Sequence, residues 1–292
     1  VLTMEYIEGF KVTDKVMIKK HNFKVNDVMT SIMRIFSHQL FISGFVHSDP
    51  HPGNLIIRPN PKNQSKAQVV LIDHGLYCEC SESFRLDYCK LWKSMILMDT
   101  KALKQVCYKW GITDEELFAT LQLMKPYKPV DQLKQKQNVI KRSVNRKDIM
   151  AFQKQNSKQR IRHLLEQTQD IPEELILIGR HMNILRGLNK WLGSPINRIN
   201  IMSKYAVKGE KLNNPLSSSY KKIKSRSIKT ILNQNFNQFK FQFHLFMIDF
   251  LYICSRIWYI ISHKVLNKKS ANFEELLEKA VIGPFEVDTD LG

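Results

Sequence analysis

Two aspartates and one asparagine at fixed intervals carry the chemistry of this chain. The stretch His47-Ser48-Asp49-Pro50-His51-Pro52-Gly53-Asn54 is followed by an apolar run, a polar loop and Val69-Val70-Leu71-Ile72-Asp73-His74-Gly75-Leu76. A carboxylate that can orient a hydroxyl, an amide five residues later and a second carboxylate after an apolar segment outline a phosphoryl-transfer site. Asp49 is the candidate for the hydroxyl. Asn54 and Asp73 offer hard oxygen ligands suited to magnesium.

His47, Asp49 and His51 also spell H-x-D-x-H, which suits a hydrolase using zinc or another transition metal. That reading leaves the Asn54 spacing and the strand pair leading to Asp73 unexplained. The five-residue interval is that of kinase catalytic loops, in which the asparagine doubles back to the metal. His47 is therefore expected to brace the loop through hydrogen bonds. His74, directly after Asp73, is expected to pack or hydrogen-bond rather than donate a proton, and Gly75 lets the backbone turn sharply.

These residues need elements to position them. Val1 to Ile7 reads as a strand ending at a Glu8-Gly9 turn. Asn26 is the expected cap of a helix whose apolar residues Val28, Ile32, Ile35, Phe36 and Leu40 recur at helical spacing, with Gly44 as its stop. This helix would deliver the chain to His47. Leu55–Arg58 and Gln68–Ile72 read as the strands of a hairpin, joined by a Pro- and Asn-rich loop over residues 59–65. Antiparallel pairing would bring Asn54, before the first strand, close to Asp73, after the second.

From Ser81 onward the pattern is helical. Ser81 is expected to cap a helix through about Met98, and Asp99 another through about Trp110 with Gly111 as its stop. Thr113-Asp114-Glu115-Glu116 is a capping-box sequence for a third. Residues 125–160 are rich in Lys, Arg, Gln and Asn and read as a solvated face, since aromatics able to stack bases are nearly absent there. Ile171-Pro172-Glu173-Glu174 opens a later helix that ends at Gly193, with Leu175, Ile178, Met182, Leu185 and Leu188 as its core stripe. Asn213-Asn214-Pro215-Leu216-Ser217-Ser218-Ser219 reads as a linker and divides the chain into 1–212 and 213–292. Phe236 to Ile261 is apolar and aromatic, but His244, Asp249 and Arg256 interrupt it. It is expected to pack against protein or to lie at a membrane interface near Lys264, Lys268 and Lys269, not to span a bilayer.

A chain of 292 residues with 43% hydrophobic residues can bury a substantial core, which excludes a disordered protein. Its formal charge of +18 suggests an acidic partner: nucleic acid, an anionic membrane surface, a nucleotide or an acidic protein. Specific nucleic-acid binding rests on charge alone. The five cysteines lack paired C-x-x-C spacing, so reduced thiols are expected and Cys78 and Cys80 read as ordinary residues beside a loop. The opening strand reads as one in mid-fold, so the chain is expected to start inside a domain, and the lack of a targeting segment ahead of it says nothing about compartment.

Met4-Glu5-Tyr6-Ile7 resembles a kinase hinge, with Met4 at the back of an adenine pocket and the Glu5 carbonyl and Ile7 amide facing the adenine edge. Together with His47 to Asn54 and with Leu71 to Leu76, it resembles the UbiB/aarF-domain family of atypical kinases. Asp73-His74-Gly75 is similar to one eukaryotic subgroup of that family, as is Leu185-Arg186-Gly187 in the later helix. The resemblance covers roughly Val1 to Asn200. It implies an α+β, mostly helical fold: a protein-kinase-like C-lobe with a short β-hairpin at the active site, followed by a helical C-terminal extension. It further implies ATP and Mg2+ as cofactors, with ATPase or small-molecule phosphotransfer in support of lipid or coenzyme Q metabolism. It also implies a mitochondrial, inner-membrane-associated location, with an anionic membrane surface or a larger assembly as partner. The family's Lys-x-Gly-Gln motif, its Ala-lined nucleotide loop and its strand lysine with a glutamate partner would all precede Val1. The chain is thus expected to be the C-terminal part of a longer or separately encoded protein. A catalytically inactive, pseudokinase-like structural subunit is the alternative.

Overall fold

The structure, a computed structural model, describes residues 3, 5–124, 127, 171–212 and 228–264. The chain divides into two compact units, Val1–Cys89 with Glu173–Lys221, and Lys90–Pro172 with Lys222–Gly292. The fold is mixed and mainly helical. In chain order the described elements are β1 (Phe10–Lys11), α1 (Lys15–Lys20), α2 (Val25–His38), a π-helical turn (Gln39–Ser43), β2 (Phe45–His47) and a 3-10 turn (Pro52–Asn54). They continue with β3 (Leu55–Asn60), β4 (Asn63–Leu71), β5 (Tyr77–Glu79), α3 (Glu82–Leu97), α4 (Thr100–Lys109) and α5 (Glu115–Leu123). The last three are α6 (Glu173–Trp191), α7 (Arg198–Leu212) and α8 (Ile228–Lys264).

In the first unit, β1, β3 and β4 form an antiparallel sheet in that order, and β2 pairs antiparallel with β5. The opening strand is displaced from its expected place. Among the described residues, 3 and 5–9 carry no strand, and pairing begins at Phe10 opposite Ile57. Gly9 explains the entry point: a Cβ there would run into the Ile56 side chain and the Ile57 carbonyl, so only glycine lets the chain come this close to β3. The hairpin is longer than expected. The polar run from Asn63 to Lys66 continues β4, leaving only Pro61 and Lys62 as the turn, because the backbone ladder pairs a solvated segment that its side chains would not favour. The ladder shifts register between Pro59 and Asn60, where proline has no amide hydrogen to give.

Helix α2 starts one residue before Asn26. Its N-cap is Lys24, whose extended backbone turns the chain and whose carbonyl accepts from Asp27 and Val28, with no side-chain cap. Asp27 in the first turn complements the helix dipole instead. The buried stripe is Val28, Met29, Ile32, Met33, Phe36 and Leu40, while Ile35 is exposed. Gly44, at φ 73°, closes the π-helical turn and its amide bonds to Gln39 O at 2.9 Å. The Phe41 carbonyl within that turn is buried, and the Arg85 guanidinium donates to it at 2.8 Å. Helix α7 packs on α2 and on the π-helical turn. Helix α1 has no counterpart in the sequence reading; Asp14 caps it, accepting from Met17 N at 3.0 Å.

Ser81 caps α3 through Phe84 N, and Asp99 caps α4 through Ala102 N. The cap of α5 is Asp114, not Thr113, and accepts from Leu117 N at 3.0 Å. Helix α6 begins at Glu173, with Pro172 just ahead of its first turn and not within it as expected, and its five expected core residues, Leu175, Ile178, Met182, Leu185 and Leu188, are all buried. The linker expected at the 212/213 boundary, the basic stretch 125–160 apart from Tyr127, and Lys268–Lys269 lie outside the described residues.

Candidate functional site

Strand pairing brings the two loops of the site together. His47 opposes Tyr77 at the end of the β2–β5 ladder, and Ser48 N continues it by donating to Leu76 O at 3.0 Å. On the other side, Leu55 opposes Leu71, and Ile72 N donates to Asn54 O at 3.1 Å. The loop 48–54 and the segment 72–76 are therefore joined at both ends. The hairpin argument from sequence correctly brings Asn54 beside the segment that carries Asp73.

Within the first loop, the Asp49 carbonyl accepts from His51 N at 2.7 Å and from Asn54 Nδ2 at 3.3 Å. The Asn54 amide thus doubles back on Asp49 while its Oδ1 is left for another partner. His51 Nδ1 accepts from Gly53 N at 3.1 Å, and Pro52 starts the 3-10 turn at a position that needs no amide hydrogen. In the second segment, Asp73 Oδ1 accepts from Gly75 N at 2.9 Å, and the residue is exposed. His74 Nδ1 bonds to the Tyr77 hydroxyl at 2.7 Å and its ring stacks on that of Tyr77, in line with a packing role.

His47 is the hub. It is buried, its Nδ1 accepts from Asp49 N at 3.1 Å, and its Nε2–H therefore donates to Asp73 O at 2.6 Å. Both ring nitrogens are spent on backbone groups of the two loops, so His47 has none left for a metal. Among the described residues no group of three or more His, Cys, Asp and Glu could hold one. With both nitrogens so engaged, His47 is not available to an H-x-D-x-H ligand set in this arrangement, and the bracing role expected of it is what the structure shows. The described cysteines are all free thiols; burial pushes Cys80, Cys89 and Cys107 up to about 12, which makes them unreactive packing groups.

Helix α6 adds two residues that the sequence reading missed. His181, fully buried, donates from Nδ1 to the His47 carbonyl at 2.7 Å, and its ring meets Phe36 edge-on. Burial lowers its pKa to about 4, so it is neutral at ordinary pH. Next to it, Arg180 Nη2 lies 3.5 Å from Asp49 Oδ1. His181 falls three residues after Ile178 and four before Leu185, on the apolar stripe. A polar residue there was the available signal. A buried hydrogen bond of this kind contributes about 1 kcal/mol, while a partly exposed ion pair contributes ~0–1 kcal/mol, so the His181 contact is the stronger of the two.

The hinge residues are placed less fully. Met4 lies outside the described residues. Glu5 is exposed, with Oε1 3.5 Å from Arg58 Nη1, and Arg58 Nε donates to Gln68 Oε1 at 2.9 Å. Ile7 is half-buried. The described contacts of Glu5 run to β3, not to the loops of Asp49 and Asp73.

Comparison with known proteins accords with this geometry. The family described as the ABC1 atypical kinase-like domain matches residues 1–107, which include Asp49, Asn54 and Asp73. An ABC1 family protein of Purpureocillium lilacinum is 34% identical over 223 residues, covering 71% of this chain and 37% of that protein. An AarF domain-containing protein kinase 1 of Mus musculus is 34% identical over 195 residues, covering 66% and 36%. A probable serine/threonine-protein kinase of Dictyostelium discoideum is 33% identical over 218 residues, covering 75% and 30%. The chain belongs to the ABC1/AarF family of atypical kinases. It spans about a third of the length of these ABC1/AarF relatives. No solved structure matches it. Arg180 and His181 lie beyond the residues that the ABC1 family description matches.

Proposed function

We propose that this chain contributes the metal- and hydroxyl-handling half of a Mg-ATP site in an ABC1/AarF-type protein that hydrolyses ATP or phosphorylates a small or lipid-related molecule. The observation that carries this reading is the joining of the loop 48–54 to the segment 72–76, through His47 and through Ile72 N to Asn54 O. The donor set fits magnesium: Asn54 Oδ1 and Asp73 Oδ2 are hard oxygens, each on a side chain whose other polar atom is tied to the backbone. Magnesium held there would neutralise charge on a nucleotide's phosphates. Asp49 accepts the hydrogen bond of the attacking hydroxyl or water and orients it. Met4, Glu5 and Ile7 would receive the adenine edge, and support in lipid or coenzyme Q metabolism within mitochondria follows from the family resemblance.

Titration of the full-length protein with Mg-ATP tests this reading. Asp73→Ala and Asn54→Ala should each weaken binding by at least about tenfold, and unchanged affinity in both would refute the metal assignment.

A second reading, a structural role at an anionic membrane surface, is favoured by α8. Phe239, Phe243, Phe246, Phe250, Ile253 and Ile257 recur at four- and three-residue intervals and are all exposed, while Phe241, Leu245 and Tyr252 are buried. Among the described residues no helix is long and apolar enough to cross a membrane. A face of this composition on a chain of charge +18 suits the interface of an anionic bilayer. Removing two phenylalanines from that face forfeits about 3–6 kcal/mol of apolar burial. Phe246→Ser with Phe250→Ser should therefore lower cosedimentation with phosphatidylglycerol vesicles by at least about tenfold. Equal partitioning of variant and parent would sink this reading.

A further inference from the structure

Two consecutive residues of α6 grip the loop at two points. His181 bonds the carbonyl of His47, and Arg180 approaches the carboxylate of Asp49, so the tripeptide His47-Ser48-Asp49 is held at its first backbone carbonyl and its last side chain. The loop's own sequence, Pro50-His51-Pro52-Gly53, contains no lysine or arginine. The cation beside Asp49 is supplied from a helix 131 residues further along the chain. Helix α6 is itself seated by its buried stripe, with Ile178 and Met182 flanking the pair.

The plain alternative is that Arg180, well exposed, belongs to a solvated face and meets Asp49 only incidentally. Against this stands its neighbour: the fully buried His181 hydrogen bond fixes the α6 backbone one residue away, so Arg180 needs to order only its own side chain to reach Asp49. A guanidinium also presents its donors in a rigid fork, suited to aiming a carboxylate rather than merely neutralising it.

We propose that Arg180 and His181 are positioning residues of the site, His181 fixing the path of the backbone into the loop and Arg180 directing the Asp49 carboxylate. The inference rests on the phosphoryl-transfer reading of Asp49 for its functional meaning, though the brace itself does not depend on turnover. It makes α6, outside the segment that matches the family description, part of the machinery that sets the geometry of the loop.

Amide hydrogen exchange of residues 48–54 in the full-length protein decides it, through a cycle of Arg180→Gln, Asp49→Asn and the double variant. Each single variant should speed exchange of the loop about threefold or more, and the double should exceed neither single by much, because both remove one interaction. Arg180→Lys should restore part of the protection. His181→Phe should speed exchange of the same amides, while His181→Gln, which keeps a donor, should hold them close to the parent and covers the case in which the Phe variant does not fold. Unchanged exchange in Arg180→Gln, or fully additive effects in the double variant, would overturn the role of Arg180. Unchanged loop exchange in a folded His181→Phe would overturn that of His181. Mg-ATP binding measured alongside separates the two levels: a parent protein without nucleotide binding refutes the reading of the site, while the exchange cycle still decides the brace. Where the parent turns over, Arg180→Gln should lower kcat with the KM for ATP nearly unchanged.

Discussion

His181 carries its proton on Nδ1 toward the His47 carbonyl, and its buried Nε2 has no hydrogen-bond partner. A second proton on that ring would be buried without a partner, which is why the pKa falls to about 4. An unfolded chain takes this proton near pH 6.5, whereas the folded protein takes it only near 4. Between these values the unfolded state binds more protons, so stability falls as pH drops through that window, by up to about 3 kcal/mol in all, and is fully regained above it. Urea midpoints of the parent and of His181→Gln, compared between pH 7.5 and 4.5, should diverge in this window and run parallel above it. A constant difference would show that His181 does not titrate in this way. The same buried ring sits one bond from the loop, so acid should loosen the site before it unfolds the protein as a whole.

At the scale of elements, the site depends on how α2, its π-helical turn and α7 meet. Gly209 of α7 lies against the Phe41 carbonyl and the Cys89 thiol, and a Cβ added there would overlap the backbone oxygen. That oxygen already accepts from Arg85 and cannot move without leaving a buried guanidinium unpaired. Gly209→Ala should therefore destabilise the protein by about 1–3 kcal/mol despite the better helix propensity of alanine. Chemical denaturation checks this, and a stabilised variant would show that α7 can shift freely. Several elements were legible before the structure because local rules govern them: the Ser81 and Asp99 caps, the start of α6 beside Pro172 and the glycine stops at Gly44, Gly111 and Gly193, all three at positive φ. Others were displaced because pairing overruled propensity. The polar half of β4 is a strand because β3 lies beside it, and β1 starts at Phe10 because Gly9 admits the chain to that edge.

The whole chain carries a formal net charge of +18 and an aromatic helix face, and these two features predict different salt responses for the vesicle binding proposed above. Attraction to anionic lipid fades once the Debye length falls to a few ångströms, roughly at 1 M salt, whereas burial of the phenylalanines persists, so residual binding at high salt should be lost selectively in the Phe246 and Phe250 variant. The sequence by itself determined the family, the helical bias and the identities of Asp49, Asn54 and Asp73, because spacing within a loop and a hairpin is a short-range property that residue types can encode. It also indicated that Asn54 returns to the segment bearing Asp73, since antiparallel pairing of two adjoining apolar strands brings the start of the first near the end of the second, although the exact register and turn came from the structure. Only the tertiary structure decided that His47 spends both ring nitrogens on the two loops, and that Arg180 and His181 reach them from α6. The contacts from α6 join residues more than a hundred positions apart, those of His47 join residues 2 and 26 positions apart, and the partners are backbone groups and one carboxylate, which leave no periodicity or motif in the chain that must find them.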